Sequence, residues 1–330
     1  MTALLLLSLS AAPRSVRAES RTAELTFRPG TSLALDSARE DRGGGNRPLV
    51  FVGYVPDYRL HELDRMRARG FTDLILFSLK PGADGALLDE FGLVARMGRL
   101  VERPRPYRVL LALGGGQRSA DFFAMARNEA ARTRFLDALM KVVTDHDLDG
   151  VDLDWEHVDS HAELDAYEDF VLALRSRLSD RLFTVALSDP RLLTPTVVAT
   201  VDRVHLMAYD GPRHGTLEQA RALVDSAIRR GVPAERLCLG IPLFATGRGA
   251  RPPSSWREVM RRHRPAPSVD EVEGLQFNGF DTTRAKARWV SQRGLGGVFF
   301  WELTQDATGA ASLIEATRDE LRASLDAPGR

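Results

Sequence analysis

Between Leu49 and Trp301 the chain repeats one unit eight times: a short apolar run, mostly followed by a stretch with helical patterning. The runs are Leu49–Val55, Asp73–Leu79, Arg108–Leu113, Gly150–Trp155, Phe183–Leu187, Arg203–Tyr209, Leu237–Leu243 and Gly297–Trp301. Near-continuous apolar runs suit strands buried on both faces, as in a parallel sheet covered by helices. Helical periodicity fills most of the gaps, for instance from Ala120 to His146 and from Ala162 to Leu178, where Leu164, Tyr167, Phe170, Val171, Leu174 and Leu178 share a stripe. Eight units make a closed (β/α)8 barrel, a single TIM barrel of the α/β class, the economical arrangement. An open doubly wound sheet would want a glycine-rich phosphate loop after its first strand, and Gly53-Tyr54-Val55-Pro56-Asp57 does not supply one.

The expected barrel covers residues 48–326. Its longest connection runs from Phe244 to Gly296 and carries Pro252, Pro253, Pro265 and Pro267, which predicts a rim loop or cleft wall rather than a second domain. No α+β insertion is evident there, so the expected cleft is shallow and open, favouring endo over processive exo action. Residues 1–18 read as a signal peptide: an apolar stretch from Ala3 to Ala12, too short to span a bilayer, precedes small residues Val16 and Ala18. Residues 19–47, with Gly43-Gly44-Gly45 and no apolar period, read as a flexible linker. The protein is therefore expected outside the cytoplasm, secreted and without membrane insertion. Lys+Arg and Asp+Glu number 45 each, so nothing steers the chain toward nucleic acid or an anionic membrane. Cys238 is the only cysteine and, between Leu237 and Leu239, reads as a small buried hydrophobe.

The densest chemical signal is Asp149-Gly150-Val151-Asp152-Leu153-Asp154-Trp155-Glu156. On a strand, alternate side chains share a face, so Asp152, Asp154 and Glu156 point one way while Val151, Leu153 and Trp155 point the other. If the apolar set faces the helices, the acids line the barrel and rise toward its C-terminal mouth, where barrel active sites lie. Carboxylates about 7 Å apart in a low-dielectric interior cannot all ionise cheaply, so at least one should hold its proton. Glu156, nearest the mouth, is then the natural general acid, tuned by Asp154. A calcium or magnesium site is the alternative, but such loops place ligands on a glycine turn rather than among strand-forming hydrophobics.

The same run matches the D-x-x-D-x-D-x-E signature of family 18 glycoside hydrolases, the chitinase family, at every acidic position. The resemblance extends from Phe51 to the C-terminal helix. Phe51-Val52-Gly53-Tyr54 resembles the family's first strand and Leu111-Ala112-Leu113-Gly114-Gly115 its third-strand S-x-G-G, with Ala112 in place of the serine. Met207-Ala208-Tyr209-Asp210 resembles the sixth-strand M-x-Y-D, Leu239-Gly240-Ile241-Pro242 the seventh and Gly297-Val298-Phe299-Phe300-Trp301-Glu302 the eighth. The motifs stand in family order. Ala112 puts in doubt a hydrogen bond that relatives make beneath the acids.

The resemblance implies hydrolysis of β-1,4-linked N-acetylglucosamine polymers with retention, by substrate-assisted catalysis and without metal or organic cofactor. Glu156 would be the proton donor, Asp154 and Tyr209 would orient the acetamido group, Asp152 would support Asp154, and Asp149 would be structural. Asp210 is a further polar contact, and Trp301, ending the last strand, a floor for a pyranose ring. Tyr54, Phe77, Met207 and Trp155 complete the candidate substrate contacts. The implied partner is an N-acetylglucosamine-containing polysaccharide, bound by a monomer.

His157, His161, His205 and His214 raise the question of zinc. His157 and His161 are four apart but lack the H-E-x-x-H order, so loop or rim positions are expected, with His157 close enough to Glu156 to touch substrate. Two other readings of the site stay open: an endo-β-N-acetylglucosaminidase acting on glycans or peptidoglycan, and a chitin-binding lectin without catalysis. Intact Asp152, Asp154 and Glu156 speak against the lectin, which needs no proton donor.

Overall fold

The computed structural model describes residues 48–65, 70–211, 214–249 and 252–326. The expected signal peptide and linker lie outside them. Eight parallel strands close into a barrel: β1 (Val50–Pro56), β2 (Asp73–Pro81), β3 (Arg108–Gly114), β4 (Gly150–Asp154), β5 (Leu182–Leu187), β6 (Arg203–Leu206), β7 (Leu237–Pro242) and β8 (Gly297–Trp301). Each pairs with its sequence neighbours, and β8 pairs with β1 to complete the ring.

The two-residue side-chain period divides the apolar residues between two cores. Phe51, Val55, Leu111, Val151, Leu153 and Phe300 point outward and pack with the helices. Val52, Tyr54, Ile75, Leu110, Ala112, Cys238 and Phe299 fill the barrel interior, where Cys238 is fully buried. At the N-terminal end the interior is ionic: buried Asp73 accepts from Arg108 Nη2 at 3.1 Å and from Arg203 Nη1 at 3.2 Å.

Three local features depart from the periodicity. The expected helix over Ala120–His146 is two helices, Phe122–Arg127 and α1 (Glu129–Asp145), because the Asn128 side chain accepts from Ala131 N at 3.1 Å and caps the second. The next helix, α2 (His161–Leu178), begins on a capping box made by Ser160 and Glu163. The sixth apolar run leaves the sheet earlier than expected. Met207 N still bonds Leu187 O at 2.9 Å, but the chain then turns, and Tyr209 and Asp210 stand on the loop above β6.

The Phe244–Gly296 connection is also more built than expected. It carries a four-stranded antiparallel sheet formed by Phe244–Gly247, Ser254–Ser255, Glu271–Val272 and Leu275–Gln276, with the helix Trp256–Arg262. Trp256, buried, ties this small α+β unit to the barrel by donating Nε1–H to Ala311 O at 2.8 Å. The helix α3 (Phe280–Arg293) then returns the chain to β8.

Candidate active site

A cavity of about 280 Å³ opens above the C-terminal ends of the strands. Tyr54, Phe77, Asp154, Glu156, Met207, Tyr209, Asp210 and Trp301 line it, so it brings together most of the residues singled out from the sequence. Its walls also include Gly115, Gly116, Ala186, Phe244 and Phe299, which sequence reasoning missed.

The acids occupy three levels of one strand face. Asp152 is lowest and fully buried, below the cavity. Tyr54 Oη donates to its Oδ2 at 2.8 Å, Thr184 donates to its Oδ1, and His205 Nδ1 lies 3.3 Å from Oδ1. Burial alone would raise its pKa; the approach of His205, then the hydrogen bonds from Thr184 and Tyr54, outweigh it and hold the carboxyl below the usual range. Ala112 stands opposite Asp152 in register and offers it no hydroxyl, so Tyr54, Thr184 and His205 supply its polar contacts.

Asp154, one level higher, is 4% exposed and its Oδ1 has no hydrogen-bond partner. Burial, then the charges of Glu156, Asp152 and Asp210, push its pKa well above the carboxylate range. Glu156 is half-buried at the mouth. It accepts from the backbone N–H of Gly116 at Oε1, and its own N–H donates to Ser119 Oγ at 3.0 Å, which donates in turn to Asp154 O at 3.3 Å. The loop after β3 therefore fixes the last acid through the Gly116 N–H and the Ser119 hydroxyl.

Glycine is required in that loop. Gly115 has φ +90°, and a Cβ there would lie 2.2 Å from the Phe77 ring and 3.1 Å from Asp154 Oδ2. The Gly114-Gly115-Gly116 run was the available signal for these residues; a single N–H donor carries none in its side chain.

Aromatic rings form the rest of the wall. Trp301 packs edge to face on Phe77, with centroids 4.6 Å apart, and against Tyr54 at 5.7 Å. Tyr209 packs so closely on β7 that a Cβ on Gly240 would come within 2.7 Å of its ring. Burial, then Asp210 and the strand acids, push the Tyr209 phenol well above its ordinary pKa, so it stays a donor. Asp210 is open to solvent yet crowded by the cavity wall; desolvation, then Glu156, push it up to about 6.

One expectation needs correction. Trp155 does not reach the cavity: it is 3% exposed, stacks on Phe122 at 4.9 Å and meets Tyr167 and Phe170 in the layer between sheet and helices. Strand alternation puts it on the face opposite the acids. Of the other histidines, His205 and His214 are buried, at 0% and 2% exposed; His205 lies inside the barrel, and His214 Nε2 meets Phe244 O at 3.0 Å. His157 and His161 are exposed but do not line the cavity. Asp149, below the strand, accepts from Val109 N at 2.7 Å and pairs with Arg103 and Arg105, at the opposite end of β4 from the cavity.

The model of the glycosyl hydrolases of family 18 matches residues 51–306. Among curated proteins the chain is similar to Endochitinase 1 of Metarhizium robertsii, 24% identical over 293 residues (70% of this chain and 69% of that protein). It is also similar to Chitotriosidase-1 of Mus musculus, 26% identical over 308 residues (67% and 65%). Among solved structures it superposes on the GH18 chitinase ChiB from the chitin utilization locus of Flavobacterium johnsoniae with a TM-score of 0.74, at 26% identity over 83% of this chain and 94% of that one. With barrel, acid ladder and relatives in agreement, the chain belongs to glycosyl hydrolase family 18 and is a glycosidase.

Proposed function

We propose that this glycosidase hydrolyses β-1,4-linked N-acetylglucosamine, in chitin or chito-oligosaccharides, with retention and with the substrate's acetamido group as nucleophile. The observation that carries this reading is the opposed environment of Asp152 and Asp154: the lower acid is satisfied and pushed toward ionisation, while the upper is pushed toward protonation and, among the described residues, keeps Oδ1 unpaired beside the cavity. Such a pair offers the acetamido group an orienting hydrogen bond, and family 18 lies outside the two-carboxylate scheme of most glycosidases.

In the proposed reaction Glu156 gives its proton to the glycosidic oxygen as that bond breaks, and the acetamido oxygen closes on the anomeric carbon. Asp154 and the Tyr209 hydroxyl hold the acetamido group in place, and Asp210 is a further polar contact. Water then adds to the anomeric carbon from the side the leaving group vacated, the bond from the acetamido oxygen breaks to restore the acetamido group, and Glu156, now a carboxylate, takes the water's proton. Trp301, with Phe77 and Tyr54 beneath, gives the sugar ring an apolar floor. The names of the chitinase relatives support chitin as the polymer, and the apolar N-terminal run supports export. We take the working unit as a monomer.

Matched aryl glycosides test the nucleophile: chito-oligosaccharides against cello-oligosaccharides, which have a hydroxyl where the acetamido group would be. Turnover confined to the acetamido series, with β-configured product seen first by NMR, is the expected result. Comparable turnover of both series would exclude substrate assistance.

A further inference from the structure

The foot of the acid ladder contains a histidine whose tautomer can be derived by counting protons. Tyr54 Oη lies 2.8 Å from Asp152 Oδ2 and 2.8 Å from His205 Nδ1, and Nδ1 lies 3.3 Å from Asp152 Oδ1. None of the three side chains is more than 1% exposed, so the count rests on the contacts they make with one another. A phenol has one proton. With Asp152 ionised, Oδ2 can only accept, so the Tyr54 proton points to it and the Tyr54 oxygen accepts from His205. Nδ1 must then carry a hydrogen, since two lone pairs at 2.8 Å repel. Nε2, which has no partner among the described residues, is left as the bare nitrogen rather than a stranded N–H.

We propose that His205 is a positioning residue of the active site: as the neutral Nδ1–H tautomer it turns the Tyr54 hydroxyl onto Asp152 and keeps the shared proton on Asp154. The groups facing the imidazole fit a neutral ring. Asp152 and Tyr54 approach from β4 and β1, Thr184 from β5 completes the coordination of Asp152, Cys238 lies beside it on β7, and the Phe299 ring packs at 5.4 Å. Toward the N-terminal end, Asp73 is neutralised by Arg203 and Arg108. Desolvation lowers the basicity of His205 although Asp152 opposes it.

The tautomer is independent of the substrate, whereas the role in turnover rests on the glycosidase mechanism proposed above. ¹⁵N–¹H correlation NMR of the intact protein, with His205→Asn to assign the signal, should find a neutral ring protonated at Nδ1 between about pH 6 and 8. An Nε2–H tautomer or an imidazolium in that range overturns the proposal. On chito-oligosaccharides, His205→Leu should lower kcat by roughly 10- to 100-fold with little change in KM and move the acid limb of the kcat profile upward, because the Tyr54 hydroxyl is no longer held toward Asp152, which then ionises at higher pH. His205→Asn, whose amide N–H can stand in for Nδ1–H, should recover most of the loss, and adding Ala112→Ser to His205→Leu should recover part. A folded His205→Leu with wild-type kcat and pH profile overturns the positioning role. So does a loss that neither Asn nor Ala112→Ser relieves. A wild-type protein inert on these substrates would remove the reaction itself, and the NMR result would still decide the tautomer.

Discussion

Asp152 and Asp154 sit two positions apart on one face of β4 and are driven in opposite directions, the first toward ionisation and the second toward protonation. Both are buried, so desolvation cannot distinguish them. The difference lies in hydrogen bonds: Asp152 receives donors from β1 and β5, whereas Asp154 meets three other carboxyls and leaves one oxygen unpaired. A ladder built this way favours a proton on the acid one level below Glu156.

This arrangement costs stability. The folded-state pKa of Asp154 is raised above its unfolded value of about 3.9, so from there upward the folded chain binds more protons than the unfolded one and stability falls with rising pH until the folded pKa is passed. Asp154→Asn should therefore raise the Tm at pH 7, by about 2–4 °C for each kcal/mol relieved, with the gain shrinking as the buffer approaches about pH 4. Thermal melts across that range check it, and a Tm gain independent of pH would contradict the protonation assignment.

The two tryptophans near the acids should separate cleanly. Trp301→Ala removes the cavity floor and is expected to raise KM for chito-oligosaccharides about tenfold, equivalent to roughly 1.4 kcal/mol of binding. Trp155→Ala empties a stacked site between Phe122 and Tyr167 and should cost about 3–5 kcal/mol of stability, read by chemical denaturation. A soluble Trp155→Ala of unchanged stability and raised KM would return that residue to the binding surface.

Much of this was legible in the chain, for reasons that differ by residue. The strands could be read because burial on both faces makes their apolar runs continuous, and Asp152, Asp154 and Glu156 because a period of two puts them on one face. The same period already pointed Trp155 away from the site; retaining it as a substrate contact set that geometry aside. The Asn128 break was hidden because the apolar stripe resumes in phase after it. The sixth run kept its apolar character to Tyr209 although the backbone leaves the sheet after Leu206. His205 and Tyr54 are 151 residues apart, and their contact depends on barrel closure, which local pattern cannot express. Gly116 acts through a backbone N–H, marked in sequence only by its place in a glycine run.

That glycine run yields a further prediction. Gly115→Ala places a methyl against the Phe77 ring and Asp154 Oδ2 on a residue with φ +90°, so the loop must shift and carry Gly116 N–H away from Glu156. Overpacking of this kind costs about 1–3 kcal/mol, and kcat should fall more than KM rises. A variant with wild-type kcat would mean that the loop does not hold the acid in its working position.

The central claim is that Glu156 donates the proton. Glu156→Gln keeps the shape and the contact with Gly116 N–H but removes the transferable proton, so the measurement is kcat on chromogenic chito-oligosaccharides for the wild type and this variant, with oligosaccharide binding followed by calorimetry. The account predicts wild-type turnover and a loss of about 10²- to 10⁴-fold or more in the variant, with binding retained. A folded Glu156→Gln that turns over within tenfold of the wild type, or a wild-type protein that binds the oligosaccharide without cleaving it, would contradict it.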